Sequence, residues 1–128
     1  MGDLSQEALS PLVFGGWASE LLGLEAPRPH NDIDLLVVAP TASVEAFVAT
    51  RDEVVGKRFS HKRAFIEDGA LVELFLVDPA VGTTRFWDTV EVAWPSLDPI
   101  VIDDLPVVSA TVLRLYQERY SEIHAARR

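Results

Sequence analysis

Three carboxylates stand where the sequence otherwise spells apolar core. Asp32 and Asp34 open the run Asp32-Ile33-Asp34-Leu35-Leu36-Val37-Val38, and Glu73 sits in the middle of Leu71-Val72-Glu73-Leu74-Phe75-Leu76-Val77. In a strand, residues i and i+2 project from one face, roughly 6.6–7 Å apart along the chain. Two carboxylates so placed converge on one cation. If the Glu73 strand lies beside the first, three acids meet on one surface. Buried like charges raise each other's pKa and resist ionisation, a conflict that a divalent cation removes. All-oxygen ligation with positions left for water and phosphate favours Mg²⁺, or Mn²⁺ in its place. Taken singly these residues say less. An Asp-x-Asp pair at a strand start is more often a solvated edge or a loop cap, and a lone strand Glu more often faces water.

Upstream, Gly15-Gly16 follows a short apolar run and precedes a segment with helical spacing. A turn of this kind exposes backbone N–H groups at a helix N-terminus, which is a ready anion site, and glycine lets the backbone approach a phosphate closely. Alone it is usually just a turn. Beside an acidic metal site it would supply the second half of triphosphate chemistry, with metal for charge and amides for oxygens.

The elements that must position these groups follow from periodicity and punctuation. The pattern predicts a short helix over 4–9, a strand at 12–14, a helix over 17–22 stopped by Gly23, and an extended loop over 25–31 with Pro27 and Pro29. A buried strand over 32–38 follows, then a helix over 43–54 capped by Thr41 or Ser43. Strands are expected over 59–66 and 71–77 around an Asp68-Gly69 hairpin turn, a weaker β pair over 83–93, and a last helix from the N-cap Ser109 to about Ala126. Strands alternating with helices give an α/β or α+β fold. The expectation is one domain spanning 1–128, with a mixed sheet of four or five strands flanked by helices and a C-terminal helix at about 109–126.

Composition narrows the function classes. The chain has 128 residues, enough for one domain with a respectable core. It has no cysteine, which excludes disulfides, thiolate metal sites and cysteine nucleophiles and fits a cytoplasmic protein. No apolar run approaches the ~20 residues of a membrane-spanning helix, and the N-terminus does not read as a signal peptide. Twenty acidic against eleven basic side chains give a formal charge of −9. That sign disfavours a nucleic-acid partner and attracts a cationic small molecule, although acidity also serves plain solubility. There is no zinc-protease His-Glu-x-x-His, no P-loop and no nucleophile elbow.

The stretch Gly15-Gly16-Trp17-Ala18, followed by Arg28-Pro29-His30-Asn31-Asp32-Ile33-Asp34-Leu35, resembles the signature of nucleotidyltransferases built on the DNA polymerase β catalytic fold. More closely, it is similar to the branch containing aminoglycoside and lincosamide nucleotidyltransferases, whose sites carry Gly-Gly-Trp and then Arg-x-His-x-Asp-[Ile/Leu]-Asp. The likeness is dense over about twenty residues, and the order of elements continues to Pro79.

That resemblance implies a minimal nucleotidyltransferase fold and a definite chemistry. A nucleoside triphosphate, ATP in the first instance, would bind with Mg²⁺ held by Asp32 and Asp34, and an acceptor hydroxyl would attack the α-phosphorus. Glu73 matches the third carboxylate, as proton acceptor or as a further metal ligand. Gly15 and Gly16 would cradle the triphosphate, with Arg28 and His30 contacting phosphates or bracing the loop. His61 and His124 are too scattered in sequence to suggest a metal site. Trp87 and Trp94 are candidates for an acceptor wall, though such residues are more often core.

There are departures from the pattern. Relatives commonly carry a further helical C-terminal region, and a lysine on a late helix that reaches the triphosphate. Here Gln117 occupies the expected place, with Arg114 or Arg119 as substitutes. A homodimer or a partner protein would complete a site left open. The acceptor expected is a small hydroxylated molecule, with an aminoglycoside-like antibiotic as one candidate. The alternatives are a nucleotide-binding module or the nucleotidyltransferase component of a toxin–antitoxin pair acting on protein or RNA, and, less well, a metal-only hydrolase.

Overall fold

The computed structural model describes residues 9–27 and 32–127. The helix expected over 4–9 falls almost wholly outside these residues, and so do Arg28 and His30. Strand β1 (Pro11–Phe14) runs straight into helix α1 (Gly15–Leu21). Next come β2 (Asp32–Val38), α2 (Thr41–Val48), β3 (Asp52–Glu53), β4 (Lys62–Glu67) and β5 (Ala70–Val77). Two hairpins follow, β6 (Thr83–Phe86) with β7 (Val90–Ala93) and β8 (Ile100–Ile102) with β9 (Leu105–Val107), before the closing helix α3 (Ala110–Ala125).

β2 and β5, the two strongest apolar runs, lie side by side and parallel at the centre of a mixed sheet of order β3-β4-β5-β2-β1-β9-β8. A central parallel pair is covered on both faces, which is why Leu35-Leu36-Val37 and Leu74 are apolar without alternation and fully buried. Below the sheet, α2 packs Phe47 on Phe65 with ring centroids 5.7 Å apart. Above it, Phe14 meets Phe75 at 5.6 Å and Tyr116 of α3 at 4.9 Å, and Phe86 of the β6–β7 hairpin closes the cluster. Each such buried aromatic is worth roughly 1.5–3 kcal/mol of transfer free energy. Among the described residues, no helix is long and apolar enough to cross a membrane.

The fold is the mixed α/β arrangement that the pattern predicts, with seven strands in the main sheet among the described residues rather than four or five. The surplus comes from short strands toward the two sides of the sheet, β3 on one and β9 and β8 on the other. β8 and β9 are three residues each, with Pro99 directly before the first and Pro106 inside the second, so no strand pattern marks them in the sequence. They pair through a tight turn in which Asp103 and Asp104 both take positive φ, 51° and 63°. Helix α2 ends at Val48 rather than near Val54. There the Thr50 hydroxyl donates to the Phe47 carbonyl at 2.8 Å. Val54 then gives its N–H to Ala64 in the sheet at 2.9 Å. Its N-cap is Pro40, without a side-chain cap, so neither Thr41 nor Ser43 has that role. Strand β4 begins at Lys62 rather than at Phe59, after a tight turn through Ser60 and His61. The Asp68-Gly69 turn and the Ser109 cap, which accepts from Val112 N–H at 3.3 Å, are as expected.

Candidate active site

The parallel register sets Asp34 directly opposite Glu73, and Asp32 opposite Leu71. Paired residues share a face and neighbouring strands lie about 4.8 Å apart, so Asp32, Asp34 and Glu73 occupy one face of the sheet. Asp32 is exposed at the strand mouth, Asp34 is partly buried, and Glu73 is buried. Alternation along β4 sends successive cations to opposite faces. Lys62 reaches Glu73, its Nζ 2.6 Å from Oε2. Arg63 passes below to Glu45 of α2 at 2.8 Å. Among the described residues, no three His, Asp or Glu side chains form a ready metal cluster. The two carboxylates are neighbours, but Glu73 is engaged by a lysine.

Gly15 explains why β1 can turn into α1 against this surface. Its φ is +64°, a region that favours glycine. A β-carbon there would collide with Asp34 Oδ2 and come within 3.1 Å of Asp34 Cβ and Cγ. The first turn of α1, containing Gly15 and Gly16, therefore starts against the Asp34 side chain. A helix N-terminus beside a carboxylate is electrostatically favourable.

The face opens into a cleft of about 570 Å³. Asp32, Asp34 and Glu73 line it on the sheet, with Lys57, Phe59, Lys62 and Trp87 along one wall. The remaining wall is α3, which presents Tyr116, Tyr120, His124 and, just beyond its end, Arg127. Those positions recur at the spacing of one helical face. A second cleft of about 500 Å³ lies at the opposite end of β2 and β5, around Asp78 and Arg85, away from the three acids.

Two groups in the cleft are strongly perturbed. His61 is buried among Phe59, Phe86 and Trp87, and its Nδ1 accepts the Trp87 backbone N–H at 3.2 Å. Burial, helped by neighbouring Lys62, lowers its pKa to about 4, so the ring is neutral at pH 7. Burial also pushes the Tyr116 phenol well above its ordinary value, with the negative charges of Asp34 and Glu73 adding to the shift.

Several expectations change here. His61 and His124, far apart in sequence, both line the cleft. Arg114 and Arg119 do not. Arg114 lies by Trp94 and Pro95, and Arg119 pairs with Glu122 at 2.6 Å. Gln117 is exposed and outside the cleft lining, so among the described residues His124 and Arg127 are the basic side chains that this end of the chain contributes. Trp87 is a wall residue, whereas Trp94 packs on Phe14 and donates Nε1–H to Thr84 Oγ1 at 2.8 Å. Sequence reasoning missed Lys57, Lys62, Tyr116, Tyr120 and Arg127. The 116-120-124-127 spacing was a readable signal for the α3 wall. Lys62 offered none, because its partner is chosen by strand register.

The donor set suits a hard divalent cation. Asp32 and Asp34 offer carboxylate oxygens from one face at the mouth of the cleft, in a chain without thiolates.

No protein-family model matches the sequence, and no curated protein matches it. Solved structures do. The lincosamide antibiotic adenylyltransferase LnuA, in its lincomycin-bound form, superposes with a TM-score of 0.68 at 14% identity, over 98% of this chain and 87% of its own. A candidate nucleotidyltransferase from Thermotoga maritima gives 0.66 at 20% identity, over 98% and 82%. ANT(2″)-Ia in complex with adenylyl-2″-tobramycin gives 0.58 at 19%, over 98% and 81%. The chain thus has the nucleotidyltransferase fold. Within that fold its likeness extends to lincosamide and aminoglycoside adenylyltransferases, and at these identities it is a likeness of architecture.

Proposed function

We propose that this domain is an enzyme that transfers a nucleoside monophosphate from a nucleoside triphosphate, ATP first among them, to a hydroxyl of a small molecule. The observation that carries the reading is the direct pairing of Asp34 with Glu73, with Gly15 packed on Asp34, inside a nucleotidyltransferase fold. Asp32 and Asp34 would hold Mg²⁺ or Mn²⁺, which when bound supplies positive charge for the triphosphate. The Gly15-Gly16 turn brings backbone close to the same point, while Lys57 and Arg127 add cationic side chains along the cleft. Tyr116, Tyr120 and Trp87 offer flat apolar surface for a base or a ring. The acceptor hydroxyl oxygen bonds to the α-phosphorus as the bond to pyrophosphate breaks, and its proton passes to a Glu73 carboxylate oxygen.

The acceptor class follows from charge. A net −9 and the exposed Asp32 draw a cationic, hydroxylated molecule toward the cleft mouth. Aminoglycoside-like antibiotics have that chemistry, and two of the structural neighbours were solved with antibiotic or adenylylated antibiotic.

The test needs no acceptor. Calorimetric titration with the four ribonucleoside triphosphates, with and without Mg²⁺, should give metal-dependent binding that Asp34→Asn abolishes. Pyrophosphate release would then be screened across hydroxylated cationic acceptors. Absence of binding at millimolar nucleotide would sink the reading.

A further inference from the structure

We propose that Lys62 is a positioning residue that holds Glu73 out of the metal's coordination shell, so that Asp32 and Asp34 carry the cation by themselves. The inference rests on the nucleotidyl-transfer reading above and, of the two roles that the sequence resemblance implies for the third carboxylate, assigns Glu73 that of proton acceptor and not that of metal ligand. Three observations converge on it.

The first is the pair itself. Lys62 Nζ lies 2.6 Å from Glu73 Oε2, and both side chains are nearly withdrawn from solvent, at 13% and 8% exposure. Breaking such a pair leaves an uncompensated buried charge, so it holds its geometry more firmly than a surface bridge. The second is placement. Lys62 is opposite Phe75 in the β4–β5 register, one diagonal step from Glu73 on the face where Asp34 lies. A fixed cation therefore stands beside the acids before any metal arrives. The third is the distribution of exposure. Asp32 is exposed and Asp34 partly so, whereas Glu73 is the inner member of the row. A cation entering from the mouth of the cleft meets the two aspartates first.

With one Glu73 oxygen on Lys62, the other is left for the acceptor's proton. Glu73 is then a base held in position by Lys62, and the ammonium supplies from the side of β4 a charge that a second metal would otherwise bring.

The experiment reads Mn²⁺ binding by electron paramagnetic resonance in the presence of α,β-methylene-ATP, so that no turnover intervenes. Wild-type protein and Asp34→Asn, Glu73→Gln, Lys62→Arg and Lys62→Met are compared, with the double variant Lys62→Met/Glu73→Gln in case the single loss of Lys62 unfolds the chain. Asp34→Asn should weaken Mn²⁺ by at least about 10–100-fold, and Glu73→Gln by only about three- to fivefold, as the Lys62 ammonium loses its compensating charge. Lys62→Met should tighten Mn²⁺ by about three- to fivefold, or add a second site, as a nearby positive charge disappears. Lys62→Arg should behave like wild type, and the double variant, which removes both charges of the pair, should bind Mn²⁺ within about threefold of wild type.

Glu73→Gln weakening Mn²⁺ as much as Asp34→Asn would overturn the proposal, because Glu73 would then be a ligand. Wild type that binds the nucleotide analogue but no Mn²⁺ would overturn it through the two-aspartate site. Wild type that binds neither would remove the nucleotidyl-transfer reading itself.

Discussion

Gly15 and Asp34 are in such close contact that a β-carbon added at position 15 would overlap Asp34 Oδ2 and force the carboxylate to move. The turn that launches α1 and the acid at the centre of the cleft are thus one packed unit. A small change in either displaces both.

Gly15→Ala tests that unit. The left-handed backbone alone costs a β-carbon roughly 1–2 kcal/mol, and the overlap adds to it. The variant should melt at lower temperature, and nucleotidyl transfer should fall by about 100-fold, as expected when a reacting geometry shifts by an ångström. Activity close to wild type would mean that Asp34 does not work from this position.

Asp34→Asn separates function from stability. Asp34 faces Glu73 across two paired strands, so removing its charge relieves like-charge repulsion and also gives up its attraction to the N-terminus of α1. Circular dichroism and urea melts should show a folded protein within about 1 kcal/mol of wild type, while Mg²⁺-dependent nucleotide binding is lost. A variant that unfolds instead would assign Asp34 a structural role.

The depressed pKa of His61 links stability to pH. Its folded value is about 4 against an ordinary 6.5, so below pH 6.5 the unfolded chain binds the proton first. The His61 contribution is complete above pH 6.5 and is lost as pH falls from there through about 4. Denaturant melts at steps across that window should show wild type losing more stability than His61→Gln, with Lys62, Arg63, Asp88 and Glu73 unchanged as the neighbouring charges. Parallel losses in the two proteins would count against a buried neutral imidazole.

Trp87 is a bulky residue at positive φ, 56°, in the turn between β6 and β7, and it also walls the cleft. Strain of this kind persists where the surroundings over-determine it. Trp87→Asn relieves about 1–2 kcal/mol of backbone strain. It also loses the ring contacts to Phe59 at 4.7 Å and His61 at 4.5 Å, each worth about 0.5–1.5 kcal/mol. Stability should change little. The acceptor KM should rise about tenfold, as expected for a hot-spot aromatic, and an unchanged KM would place the acceptor elsewhere.

Arg127→Ala and Lys57→Ala remove an exposed and a half-buried cation from the cleft lining. Each should raise the dissociation constant for the triphosphate by about 3–10-fold at low salt, with the difference shrinking as ionic strength rises. Melting temperatures should be unchanged. Equal affinity at low salt would remove both residues from the phosphate path.

Much of this molecule was written in short-range pattern. Apolar runs named β2 and β5, the Asp68-Gly69 turn joined β4 to β5, and Ser109 began the last helix, because strand alternation, turn conformation and capping act within a few residues. The three acids stood out for the same reason, as charges interrupting apolar strands. What only the tertiary structure decided was who faces whom. Asp34 meets Glu73 because β2 and β5 pair in parallel at one register out of many. Lys62 meets Glu73, and Tyr116, His124 and Arg127 enclose the cleft, because sheet pairing and the packing of α3 bring distant segments together. Those contacts arise from hydrogen bonds and apolar surface shared between parts of the chain that no local pattern connects.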